Sequence, residues 1–218
     1  MTYAQHYVNK IIPFPFGNPN FKNIEYFNGK YVIPVVYPSD SSTLIVTDLN
    51  TETYYHYVDF VFSLSAMTIV DNEMYLYAKD RNFSNDLQFA RLNNDFTYNW
   101  KKEIHTAGDF NFPLSSISLG RNVFATYIFE TGNIRKFGIF NIKPDGTIKW
   151  NKVYDNNLKY ATLWDLDSRN GNYILGSYNV TYTNDFNSSV RVIKIDTSGQ
   201  EIWKSDTLRG VNDNDDPV

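Results

Sequence analysis

Apolar and polar positions alternate along this chain in a pattern that recurs four times. Each recurrence runs through an apolar stretch, a turn residue, a strongly apolar strand, a polar loop, an alternating strand, a tight turn and a strand ending in an aromatic. The closing aromatics are Tyr57, Trp100, Trp150 and Trp203, and eight residues before each stands an aliphatic: Leu49, Leu92, Ile142 and Ile195. The turn residues are Gly29, Asn72, Asn122 and Gly171, the last set further back by a longer polar loop. After each of them both alternating sets of side chains are apolar, as where Met74 and Leu76 interleave with Tyr75 and Tyr77. A strand apolar on both faces must be covered on both faces. Such cover arises when small sheets stack side by side around an axis, which also leaves only short edges. No stretch of a dozen residues has helical apolar spacing. The pattern predicts an all-β fold, a β-propeller-like array of four repeats of mostly four-stranded antiparallel sheets over residues 21–208. Residues 1–20 read as an extended segment, with Pro13 and Pro15 unsuited to a central strand, and residues 209–218 as an acidic tail or linker.

The segment Ile195-Asp196-Thr197-Ser198-Gly199-Gln200-Glu201-Ile202-Trp203 carries an aliphatic, a D-x-x-G turn and a Trp four residues after the Gly. In this it resembles the blade signature of the quinoprotein-like (PQQ-type) β-propellers. Ile142 to Trp150 is similar, with Gly146 in the same place; Leu92 to Trp100 has Phe96 there, and Leu49 to Tyr57 keeps only the spacing. The resemblance implies blade architecture. It does not extend to quinone-dependent dehydrogenase activity, since those enzymes build a larger ring around the cofactor, and often use an adjacent Cys pair, where this chain has no Cys. No redox cofactor is expected.

Composition narrows the function classes. Aromatics make up 17 % of the chain, with 17 Tyr and 16 Phe, which suits pleated, half-buried surfaces. The net charge is −4, and residues 205–218 account for most of it with four Asp against one Arg. No basic field exists to attract phosphates, so no nucleic-acid partner is expected. No apolar run is long enough for a membrane span, and Met1 to Lys10 lacks the pattern of a secretory signal. That leaves a cytoplasmic protein, a virion-associated one, or a secreted one whose signal is not in this sequence.

The chemistry-bearing residues form few constellations. Trp100, Trp150 and Trp203 are expected in equivalent buried positions between blades, each indole N–H with a partner. Trp164 stands apart, beside Asp165 in the innermost strand, where the pair either lines a ligand pocket or fills the hub of the ring. His6, His56 and His105 have no ligand spacing along the chain, so no zinc site is indicated, and His56 and His105 are expected at strand ends. No nucleophile elbow, Walker A or dinucleotide fingerprint occurs. The tail around Asp213, Asp215 and Asp216 resembles the second half of a thrombospondin type-3-like repeat, which implies calcium; an acidic terminus without a metal is the competing reading. Loops between second and third strands should share one face and carry Arg81, Phe83, Tyr182 and Phe186, a mix of charge and aromatics suited to a partner. The reading that follows is a non-catalytic binding or scaffold module for a protein or glycan, within a homo-oligomer or larger assembly. The alternative is an enzyme with a central-channel site, either a sugar-acting hydrolase or a reduced quinoprotein.

Overall fold

In the computed structural model each recurrence of the pattern becomes a meander of antiparallel strands. The structure describes residues 20–21, 24–37, 42–48, 53–56, 62–80, 86–106, 110–132, 134–154, 160–167, 173–181 and 188–206. The first sheet comprises β1 (Asn20–Phe21), β2 (Glu25–Phe27), β3 (Lys30–Val36), β4 (Ser42–Thr47) and β5 (Thr53–His56). The second holds β6 (Phe62–Val70), β7 (Glu73–Asp80), β8 (Leu87–Leu92) and β9 (Tyr98–Ile104). The third holds β10 (Phe110–Leu119), β11 (Asn122–Thr131), β12 (Ile134–Ile142) and β13 (Ile148–Tyr154). The fourth holds β14 (Tyr160–Asp167), β15 (Tyr173–Thr181), β16 (Ser188–Asp196) and β17 (Glu201–Lys204). Among the described residues all pairing is antiparallel except one parallel contact, Arg135 opposite Tyr160, between the start of β12 and the start of β14. The fold is therefore all-β, a propeller-like array of four small sheets, as the repeat predicts.

Three layers of apolar side chains hold successive sheets together. Between first and second, Val32, Val36, Leu44 and Val46 meet Met74, Leu76, Ala90 and Leu92. Between second and third, Tyr75, Tyr77 and Phe89 meet Val123, Tyr127 and Phe140. Between third and fourth, Phe124, Phe137 and Ile139 meet Ile174, Tyr178 and Ile193. The middle strands of the second and third sheets thus bury both alternating sets, because each of these sheets is sandwiched by neighbours. Among the described residues no comparable packing joins the fourth sheet to the first.

Two local devices recur. In every first strand the register steps by one residue. Leu64 faces Ala78 while Ala66 faces Tyr77, and Leu163 faces Tyr178 while Asp165 faces Ser177. The same step falls between Pro113 and Ser116 in β10 and between β1 and β2 on β3. These bulges bend the inner strand and strengthen its twist. In the third sheet the buried Thr126 hydroxyl satisfies the bulged backbone, accepting from the Ser115 amide at 3.1 Å and donating to its carbonyl at 3.2 Å. The second device is the hairpin between third and fourth strands. Phe96, Gly146 and Gly199 each take a left-handed conformation, and their amides donate to Asn93, Lys143 and Asp196 three residues earlier. Phe96, with φ of 66°, accepts a backbone strain that glycine avoids, and it packs edge-on to Phe27 of the first sheet.

Candidate functional site

The tight hairpins are where one sheet grips the next. Trp100 sits opposite Arg91 on β9, and its indole N–H donates to the Pro144 carbonyl of the third sheet's hairpin at 3.1 Å. Trp150, opposite Asn141 on β13, does the same to the Thr197 carbonyl of the fourth sheet's hairpin at 3.0 Å. Neighbouring groups reinforce each grip: Lys102 donates to the Asp145 carbonyl, Asn141 to that of Thr197, and the Tyr154 hydroxyl to that of Gly199. Gly146 and Gly199 are glycines for a second reason here. A Cβ on Gly146 would stand 2.9 Å from the rim of the Trp100 ring, and one on Gly199 would stand 3.0 Å from Trp150. The hairpins themselves are fixed by carboxylates. Asp196 accepts from the Ser198 hydroxyl and the amides of Ser198 and Gln200, and these bonds hold its pKa below the usual carboxylate value. The Thr147 amide does the same for Asp145.

Trp203 corrects the expectation of three equivalent buried indoles. It holds the same strand position, opposite Lys194 on β17, yet it is 51 % exposed. The physical reason is that no further hairpin among the described residues covers it. The whole face around it shares this condition. Leu175 and Val192 are only half-buried, whereas their counterparts Phe124 and Ile139 on the third sheet and Tyr75 and Phe89 on the second are fully buried. A shallow hollow of about 150 Å³ lies beside them, lined by Leu166, Asp167, Leu175, Gly176, Ser177 and Val192. Lys194 lies over the Tyr173 ring, 3.9 Å from its centroid, partly shielding it.

At the opposite end of the second sheet, strand pairing assembles a polar group. Gln88 faces Glu103 across β8 and β9, and Asp86 and His105 flank that pair on the same side. Asp86 Oδ1 lies 2.8 Å from His105 Nδ1, and Gln88 Nε2 donates to Glu103 Oε1 at 3.2 Å. One ligand atom from each of Asp86, Glu103 and His105 falls within 4.8 Å of the others. His105 follows directly on β9, and His56 ends β5, as expected of both. What linear spacing hides is that residues 86 and 105 become neighbours through the hairpin.

The other sequence-derived candidates are placed only in part. Asp165 and Trp164 lie on β14, with Trp164 as the extra residue of the bulge; their side chains lie outside the description. Arg81, Phe83, Tyr182, Phe186 and the tail residues Asp213, Asp215 and Asp216 lie outside the described residues. No helix among the described residues is long and apolar enough to cross a membrane.

No family model matches the chain, and no curated protein matches it. Solved structures do. An endo-1,4-β-xylanase from Bacteroides thetaiotaomicron is 12 % identical with a TM-score of 0.49, covering 91 % of this chain and 73 % of its own. A GH43 endo-arabinanase from Bacillus licheniformis is 13 % identical with a TM-score of 0.44, covering 83 % and 75 %. The Nup133 β-propeller domain of Vanderwaltozyma polyspora is 12 % identical with a TM-score of 0.45, covering 88 % and 63 %. Likenesses this distant assign no activity to the chain, and propellers host catalytic and binding roles alike.

Proposed function

We propose that the protein is a binding module that seats a polypeptide partner on the outward face of its fourth sheet. The observation that carries this reading is the state of Trp203. Two indoles in the same strand position each grip a glycine hairpin of the following sheet, and the third is presented to solvent with its apolar surroundings half-covered. The partner that fits is a β-sheet whose outer hairpin has glycine in the left-handed position, so that an indole lies flat on it and donates to a turn carbonyl. A second copy of this chain fits less well. Its glycine hairpins at Gly146 and Gly199 are already occupied by Trp100 and Trp150, and the corresponding hairpin of its second sheet has Phe96 in that place.

A cyclised hairpin peptide of residues 188–204 with Trp203→Phe tests the fit, since cyclisation removes the ordering cost of a free hairpin. Added to the full chain, it should blue-shift the tryptophan emission and bind saturably. The Gly199→Val peptide, and the chain with Trp203→Ser, should each lose that binding. Equal binding by the two peptides overturns the reading, as does a concentration-dependent dimer in sedimentation that Trp203→Ser abolishes. Loss of binding on replacing Arg81, Phe83, Tyr182 and Phe186 with Ala, with Trp203→Ser silent, moves the surface to the loops.

A further inference from the structure

We infer that Asp86, Glu103 and His105 form a divalent transition-metal site, of the kind zinc occupies, on the end of the β8–β9 hairpin. The inference is independent of the docking face, which lies on another sheet. Cross-strand pairing puts the three donors on one side of the second sheet at one end, within a single small volume. Groups bound to one zinc ion at about 2 Å each stand roughly 3–4 Å apart. The present spacing, within 4.8 Å, is about an ångström wider than a bound set requires, a distance within the reach of side-chain rotation.

The donor set favours zinc over calcium. An imidazole nitrogen with two carboxylates is a common zinc combination, whereas calcium seeks a larger shell of oxygens. The carboxylates also supply the charge: two acids face one imidazole, so a dication is balanced. The imidazole presents Nδ1 toward Asp86, and its ring is largely open to solvent, which gives the ion an entry path.

A second observation points to the same place. Gln88 is 1 % exposed, and its amide nitrogen reaches Glu103 while its amide oxygen has no hydrogen-bond partner. A buried amide oxygen without a partner is costly, and such groups in folded proteins call for a specific explanation. Oxygen and nitrogen of an amide exchange places by a half-turn of the side chain. With Glu103 drawn onto a metal ion, that turn brings the acceptor to the Glu103 side, where a metal-bound water can donate to it, in exchange for the present bond from the amide nitrogen. Three protein donors, two of them exposed, leave a coordination position toward solvent.

The test uses the full-length chain, stripped with a chelator and titrated with zinc chloride alone. One equivalent should bind, and the melting temperature should rise with zinc by the amount mass action gives for a ligand of the folded state. His105→Ala and Glu103→Gln should each weaken binding by about tenfold or more. Both side chains are exposed, so circular dichroism and metal-free melting should match the parent. Cobalt in place of zinc should give visible absorption that His105→Ala abolishes. Calcium and magnesium at the same concentrations should not compete. Absence of zinc binding by the parent chain overturns the inference, as does unchanged affinity in both variants. Calcium outcompeting zinc would overturn the assignment of the metal.

Discussion

At the scale of single residues, the hairpin glycines carry two separable demands. Gly120 and Gly146 both have positive φ, of 60° and 77°, but nothing lies within 4 Å of a Cβ on Gly120. A Cβ on Gly146 meets the Trp100 rim and the Lys102 stem at 2.9 Å. Gly120→Ala should therefore cost only the left-handed penalty, about 1–2 kcal/mol. Gly146→Ala should cost that plus displacement of a half-buried indole, about 1 kcal/mol or more beyond it. Urea denaturation of the two variants measures the difference, and equal midpoints would mean that the indole does not press on the turn. The D-x-x-G pattern made the left-handed turn legible in the sequence. It did not reveal why glycine is also needed for its missing Cβ, because the ring that presses on it belongs to the preceding repeat. Phe96 shows the same limit from the other side. Its departure from glycine is plain in the sequence, but its packing on Phe27 of the first sheet depends on tertiary contact.

At the scale of elements, the repeat exposed most of the architecture. Tight turn, closing aromatic and two-sided apolar strand each follow from local rules of pairing and cover, and those rules act within one sheet. Two features depend on what lies beyond it. The bulge that makes Trp164 the extra residue of β14 is a matter of register against β15, and composition is silent on register. The exposure of Trp203 depends on whether another sheet follows, and an equivalent residue in an equivalent strand cannot report that. Energetics should separate the three indoles accordingly. Trp100→Ala and Trp150→Ala each remove an indole hydrogen bond to a turn carbonyl and ring packing against Phe89 or Phe124. Each should cost about 2–4 kcal/mol, somewhat under the full cost of truncating a completely buried ring. Trp203→Ala has no such partner to lose among the described residues and should cost less than about 0.5–1 kcal/mol, in the range of surface changes. Thermal or urea unfolding decides, and three equal losses would show that Trp203 is covered in solution by something the described residues do not supply.

At the scale of the whole molecule, stability resides in interfaces between sheets, and buried phenols make those interfaces sensitive to alkali. Tyr75 and Tyr77 from the second sheet and Tyr127 from the third meet in one layer, and Tyr154 belongs to the next. Burial is the largest cause raising all four above the usual tyrosine value near 10. The Glu73 carboxylate, which accepts from the Tyr75 hydroxyl, raises that group further, whereas the bond to Asn151 partly opposes the shift at Tyr127. The sign of the linkage is fixed by these directions. Each phenol holds its proton more tightly in the folded chain than in the unfolded one. Their contribution is complete below the unfolded value near 10 and is lost as pH rises toward and through the folded values. Unfolding free energy should thus hold steady up to about pH 10 and fall beyond it. In an absorbance titration, one class of tyrosines should ionise reversibly with the fold intact. A second class should appear only as near-ultraviolet dichroism collapses. Three of the four shifted phenols lie between the second and third sheets, so alkaline hydrogen exchange should rise there before it rises between the first and second. Free titration of every tyrosine with the dichroism intact would show that these layers open to solvent without unfolding, and that the sheets are held by their hairpin grips instead of by their buried rings.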